Sequence, residues 1–152
     1  MIILTGNNGF IGKVFENAID PDNLYRVEFG GAFLFLEDYT DWDKVELIIH
    51  QGALSSTVET DIDKIHKYNV DFTLQLFEKA IEFNIPVKYA SSASVYGNTT
   101  GNINPLNYYA ISKLQVDYWV QDNIDFFTNI QGFRYFNVYG GGEDHKGDQA
   151  SP

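Results

Sequence analysis

Apolar residues fall into short blocks along this chain, and the spacing within each block alternates between strand-like runs and helix-like recurrence. Ile2-Ile3-Leu4 is a compact run ending at Thr5-Gly6, after which Val14, Phe15, Ala18 and Ile19 recur at helical spacing. Strand, glycine turn, helix is the parse. After the turn cluster Asp20-Pro21-Asp22-Asn23, residues 24–29 alternate as a second strand closing at Gly30-Gly31, and residues 32–36 read as a third. Residues 45–50 form a buried fourth strand. From Asp61 to Phe83 the apolar positions fit one or two helices joined near Asn69 and ended by Asn84-Ile85-Pro86. Residues 87–92 make a fifth strand, residues around 108–113 a helix, and residues 131–140 a sixth strand with its exit. Strands alternating with helices predict an α/β fold, a Rossmann-like doubly wound parallel sheet of about six strands, as a single domain over 1–152.

Charge and composition narrow the partners. A net charge of −11 repels nucleic acid backbones and anionic lipid, so a phosphate-bearing ligand would need backbone donors. With no cysteine there is neither a disulfide framework nor a thiolate metal site, and no metal site is expected. The apolar start lacks a cationic lead and meets glycine within six residues, and no apolar run reaches the roughly 20 residues of a membrane helix. A cytoplasmic protein without membrane contact is the expectation.

The first glycine turn is the candidate nucleotide cradle. Gly6 permits a tight turn, Gly9 lets backbone amides approach a pyrophosphate, and Gly12 lets the helix pack on the sheet, with Asn8, Phe10 and Ile11 between them. Glu28, 22 residues beyond Gly6, sits where such folds place an acid on the adenosine ribose. An acid there favours NAD over NADP; a solvated strand-end charge is the alternative. No lysine or arginine occurs between Phe29 and Asp43 to meet a 2′-phosphate. Gly52 and Ala53, at the carboxyl end of the fourth strand, lie where an open α/β sheet takes its ligand. His50 reads as a satisfied strand-end histidine, and Ser55-Ser56-Thr57 offers hydroxyls beside the site or a helix cap.

The second candidate is a proton relay. Tyr109 and Lys113 are four apart on one helix face, and Ser92 is delivered to the same sheet edge. A tyrosine is a poor base at neutral pH, with its ordinary pKa near ~10, unless an ammonium one helical turn away and a cationic nicotinamide stabilise its phenolate. Lys113 would supply the ammonium and hold the nicotinamide ribose. Ser92 would hydrogen-bond the substrate oxygen while Tyr109 takes or returns its proton. Tyr108 is five residues before Lys113, off the shared face.

The Gly-x-x-Gly-x-x-Gly spacing, the Ser92/Tyr109/Lys113 set and residues 134–140, Arg-Tyr-Phe-Asn-Val-Tyr-Gly, together resemble the extended short-chain dehydrogenase/reductase family, in its NAD-dependent epimerase/dehydratase group. The resemblance covers Gly6 to Ser151. It implies bound NAD or NADP, NADP by the closest resemblance, and a nucleotide-activated sugar that is oxidised and re-reduced at one carbon. It implies that Asn69, in an Asn-x-x-x-Thr element, orders a helix kink and the site's water chain. It implies Ser55, Ser56, Asn137 and His145 as substrate contacts and Lys146 as a second acid/base facing the tyrosine. The acidic pair of the family's dehydratases is replaced by Ala93-Ser94. Family members continue past this length into a substrate domain, to which 140–152 would lead. A catalytically silent nucleotide-binding or assembly module is therefore the alternative to an epimerase. An unpaired strand at the truncated edge implies a homo-oligomer.

Overall fold

A computed structural model describes residues 1–52, 61–92 and 107–135. In them β1 (Ile2–Thr5), β2 (Leu24–Val27), β3 (Leu47–His50), β4 (Val87–Ser92) and β5 (Ile130–Tyr135) form one parallel sheet in the order β2-β1-β3-β4-β5. Between the strands run α1 (Phe10–Ala18), α2 (Ala32–Asp38), α3 (Ile62–Ile65), a π-helical segment His66–Asp71 continuing into α4 (Phe72–Glu82), and α5 (Tyr108–Asp122).

The expected parallel α/β sheet is present, with five strands among the described residues rather than six. Residues 32–36, expected as a strand, are the helix α2. Its run Ala-Phe-Leu-Phe-Leu contains no β-branched residue, and it buries Ala32 and Phe35, three apart, while Leu34 is 61% exposed. A strand would have alternated. Phe35 stands at the centre of an aromatic cluster with Tyr25, Tyr39 and Trp42, ring centroids 5.0–5.5 Å apart. That cluster buries α2 against the sheet.

Strand alternation splits the core into two faces. Leu4, Leu24 and Ile49 point toward α1 and meet Phe15 and Ile19, while Val14 of the same helix faces solvent. Ile3, Val27, Ile48, Val87 and Tyr89 point the other way, onto Phe35 of α2, Phe72, Leu76, Phe77 and Ala80 of α4, and Val116 and Val120 of α5. Leu76 and Phe77 are fully buried, each worth about 1.5–3 kcal/mol over an exposed position. The chain passes from β1 outward to β2, then back across β1 to β3. The sheet's reversal of direction therefore falls between β1 and β3, where open α/β sheets bind ligands.

Candidate functional site

At that reversal the two strand exits nearly touch. Gly6 has φ +74°, and a Cβ on it would lie 2.6 Å from the Gly52 nitrogen. A Cβ on Gly12 would lie 1.8 Å from the Gly6 carbonyl oxygen. The protein's own packing demands both glycines. Gly9 differs: its backbone is extended, and its added Cβ would meet a single atom, the Gly6 oxygen at an ordinary 3.4 Å. Gly9 precedes α1 and contributes no side-chain cap, so the approach to the helix N-terminus is kept clear by a residue the packing does not itself require.

Around this turn Asn8 Nδ2 reaches Glu28 Oε1 at 3.5 Å, and Asn7 Nδ2 donates to Glu16 Oε2 at 2.8 Å. The Asn7 amide, followed by Arg26, holds Glu16 below the usual carboxylate range against partial desolvation. Arg26 Nε lies 3.1 Å from Glu16, so the cation nearest Glu28 on β2 is already paired. Three buried polar atoms here have no protein partner: Asn7 Oδ1 and both ends of the Gln51 amide. An open glycine, an uncapped helix end and the unpartnered Gln51 Nε2 donor at the sheet's reversal fit a phosphate-bearing ligand.

Beneath the turn, His50 is buried between two hydroxyls, with Nδ1 2.6 Å from Thr5 Oγ1 and Nε2 2.7 Å from Thr73 Oγ1. Thr5 Oγ1 also accepts the Gly52 N–H at 2.9 Å, so the imidazole is tied through one hydroxyl to the turn after β3 and through the other to α4. Burial, with Lys113 adding repulsion, drives the imidazole pKa down to about 3. His50 is thus a neutral linker between the cradle and α4, as its sequence context implies.

Ser92, Tyr109 and Lys113, the candidate relay, meet at the start of α5. Asn107 caps that helix by accepting the Ala110 N–H at 2.8 Å, which fixes the first turn carrying Tyr109. The Tyr109 side chain hydrogen-bonds Ser92, which β4 delivers at its carboxyl end. Lys113, one turn on, is 6% exposed, donates to the Ala90 carbonyl at 2.9 Å and places Nζ 5.9 Å from the Tyr109 ring centre. Asn69, in the π-helical segment, donates to Ser112 Oγ at 3.2 Å, and Ser112 donates to the Tyr109 carbonyl at 2.6 Å. The helix irregularity expected at Asn69 is this π segment, and its asparagine ties directly to α5.

In the protein alone, burial raises the Tyr109 pKa and outweighs the opposing Ser92 hydrogen bond, so the expected phenolate depends on the nicotinamide charge as well as on Lys113. Lys113 is itself brought down to about 8 by burial, which Asp117 opposes. Tyr109 in the protein alone is therefore a neutral proton donor.

Asp117, one further turn along α5, went unnoticed in the sequence. It accepts from Tyr89 Oη at 2.8 Å, from Ser91 Oγ at 2.7 Å, and from Nε and an Nη of Arg134, each at 3.2 Å. Its spacing from Lys113, four residues on the same helix, was the available signal. Its partners on β4 and β5 carried none, because strand pairing brings them together.

Residues 34–151 match the NAD dependent epimerase/dehydratase family. The chain belongs to that family. It is 35% identical over 188 aligned positions to the ADP-L-glycero-D-manno-heptose-6-epimerase of Brachyspira hyodysenteriae, covering 99% of this chain and 58% of that protein. The crystal structure of the Helicobacter pylori ADP-L-glycero-D-manno-heptose-6-epimerase superposes with a TM-score of 0.76 at 31% identity, over 99% of this chain and 59% of that one. UDP-glucuronic acid 4-epimerase from Bacillus cereus, solved with NAD, shares the fold at a TM-score of 0.73 and 21% identity, over 91% and 57% of the two chains. This family member thus spans about three-fifths of the length of the relatives it matches.

Among the residues expected at the site, Gly6, Asn8, Gly9, Phe10, Ile11, Gly12, Glu28 and Gly52 surround the β1/β3 reversal, and Asn69, Ser92, Tyr109 and Lys113 gather where β4 meets α5. Ala53, Ser55, Ser56, Asn137, His145 and Lys146 lie outside the described residues. Among the described residues no helix is long and apolar enough to cross a membrane.

Proposed function

We propose that this chain is the dinucleotide-binding and proton-transferring part of a nucleotide-sugar epimerase. The observation that carries the reading is the Ser92–Tyr109 hydrogen bond with the buried Lys113 ammonium one turn below it. Bound NAD(P) would supply hydride acceptance and return. Gly6, Asn8, Gly9, Phe10, Ile11, Gly12, Gly52 and Ala53 would form its pyrophosphate cradle, with Glu28 toward the adenosine ribose. Glu28, beside an Arg26 already paired with Glu16, favours NAD over NADP. The relatives' names point to a nucleotide-linked sugar, with the heptose C6 centre as the reacting carbon.

Ser92 holds the sugar oxygen and Tyr109 exchanges its proton. Lys113 keeps positive charge beneath the phenol, so the proton can leave once a second positive charge lies beside it. Lys146 serves as the acid/base on the opposite face, with Ser55, Ser56, Asn137 and His145 as sugar contacts. The exposed side chains Tyr118, Ile124, Phe126 and Phe133, on and around α5 and the edge strand β5, support self-association, which light scattering at rising concentration reads.

The test adds NAD or NADP and an ADP- or UDP-linked sugar to the purified protein and follows reduced nicotinamide and sugar stereochemistry. Sugar-dependent reduction that Tyr109→Phe abolishes while cofactor binding persists is expected. Cofactor binding without any sugar-dependent reduction would instead identify a silent binding module.

A further inference from the structure

Asp117 does more than its distance from the reacting atoms suggests. Its carboxylate takes hydrogen bonds from Tyr89 and Ser91, the residues on either side of Ala90, and the Ala90 carbonyl is what Lys113 Nζ binds. The same carboxylate is joined by Arg134 of β5 through two nitrogens. Gly132 makes room for this arrangement: a Cβ there would come within 2.5 Å of the Tyr89 ring, so Tyr89 can lie across β5 and reach α5 only because the side chain is missing. One acid on α5 thereby clamps β4 and β5 directly below Ser92 and Tyr109.

We propose that Asp117 is a positioning residue for the Ser92–Tyr109–Lys113 set, fixing Lys113 on the Ala90 carbonyl beneath Tyr109 and setting an anion one helical turn from its ammonium. The side chain touches neither the reacting atoms nor the cradle; it acts through Lys113. The inference rests on the relay reading of Tyr109 and Lys113. The groups facing Lys113 are Tyr109 and Asp117 on its own helix and His50 on β3, and Arg134 and Tyr89 act on it through Asp117. His50, neutral with a pKa near 3, contributes no charge around neutral pH. Asp117 is then the acid that opposes the desolvation of Lys113.

The test is the pH titration of the Lys113 side-chain signals by NMR in the whole chain, with no cofactor or sugar present, so its outcome does not depend on turnover. In the unaltered protein the midpoint is expected near 8. Asp117→Asn, which keeps an acceptor and loses the charge, is expected to lower it by about one unit, the size of shift a close opposite charge produces. Ser91→Ala removes one clamp contact and no charge, and is expected to disturb the Lys113 signals while leaving the midpoint in place. An unmoved midpoint in Asp117→Asn would overturn the inference, as would an equal displacement in Ser91→Ala. If Asp117→Asn does not fold, Asp117→Glu decides: a midpoint at or above that of the unaltered protein supports the role, and a lower one overturns it.

Discussion

At the β1/β3 reversal the sheet's carboxyl edge is made of backbone, whereas at α5 it is made of side chains. Around Gly6, Gly12 and Gly52 the chain packs so closely that no Cβ fits at the first two, while Asn7 Oδ1 and both ends of the Gln51 amide go unpaired by protein. Around Tyr109 the polar groups are instead tied to one another: Asn69 to Ser112, Ser112 to the Tyr109 carbonyl, Lys113 to Ala90, and Asp117 to three side chains. The first region keeps open space and unpaired polar atoms, as a surface that admits a ligand would. The second holds its ionisable groups in low dielectric, so its polar groups are satisfied from within, as the proposed relay requires. Shape governs the first region, and charge the second.

The sharpest break of that contrast is Gly12→Ala. A methyl 1.8 Å from the Gly6 oxygen forces strand and helix apart, with an expected loss of about 4 kcal/mol or more, enough to unfold a domain of ordinary stability. Denaturant melts or loss of soluble protein read it. At the relay the expected sign is opposite. Folded Lys113 gives up its proton near pH 8 and the unfolded lysine near ~10.4, so stability falls as pH drops between those values and stays reduced below. Lys113→Met removes that cost and is expected to stabilise the protein at pH 7 by about 2 kcal/mol, while ending any sugar-dependent reduction that the proposed relay supports.

His50 joins the two regions and gives the next effect. It binds a proton near pH 3 when folded and near ~6.5 when unfolded, so its contribution is complete above about pH 6.5 and is lost as pH falls toward 3. The slope is up to about 1.4 kcal/mol per pH unit, and His50→Gln is expected to flatten it in acid denaturation curves. Gly9→Ala gives the smallest change in stability, within about 1 kcal/mol, because its methyl meets only the Gly6 oxygen at 3.4 Å. Its cofactor affinity is nonetheless expected to fall about tenfold, equivalent to ~1.4 kcal/mol. A Gly9→Ala protein that binds cofactor normally would remove the distinction between a packing glycine and a binding one.

Periodicity and turn chemistry were enough to read β1, α1, β4 and the helices of 61–83, because each carries a local signal of its own. The glycine spacing and the Tyr109/Lys113 interval were legible for the same reason: both are fixed distances within one turn or one helix. Ala32–Leu36 was misread because five consecutive apolar residues are ambiguous between a buried strand and a short helix, and the choice was made by Phe35 finding Tyr25, Tyr39 and Trp42.

The sequence by itself determined a family-typical parallel α/β domain with a glycine cradle and a serine, tyrosine and lysine at one edge. Only the tertiary structure decided that Gly9 is the open glycine, that burial keeps Tyr109 protonated, and that Asp117 gathers Tyr89, Ser91 and Arg134. Desolvation and strand register depend on neighbours far apart in the chain, and neither leaves a mark in the spacing of residues.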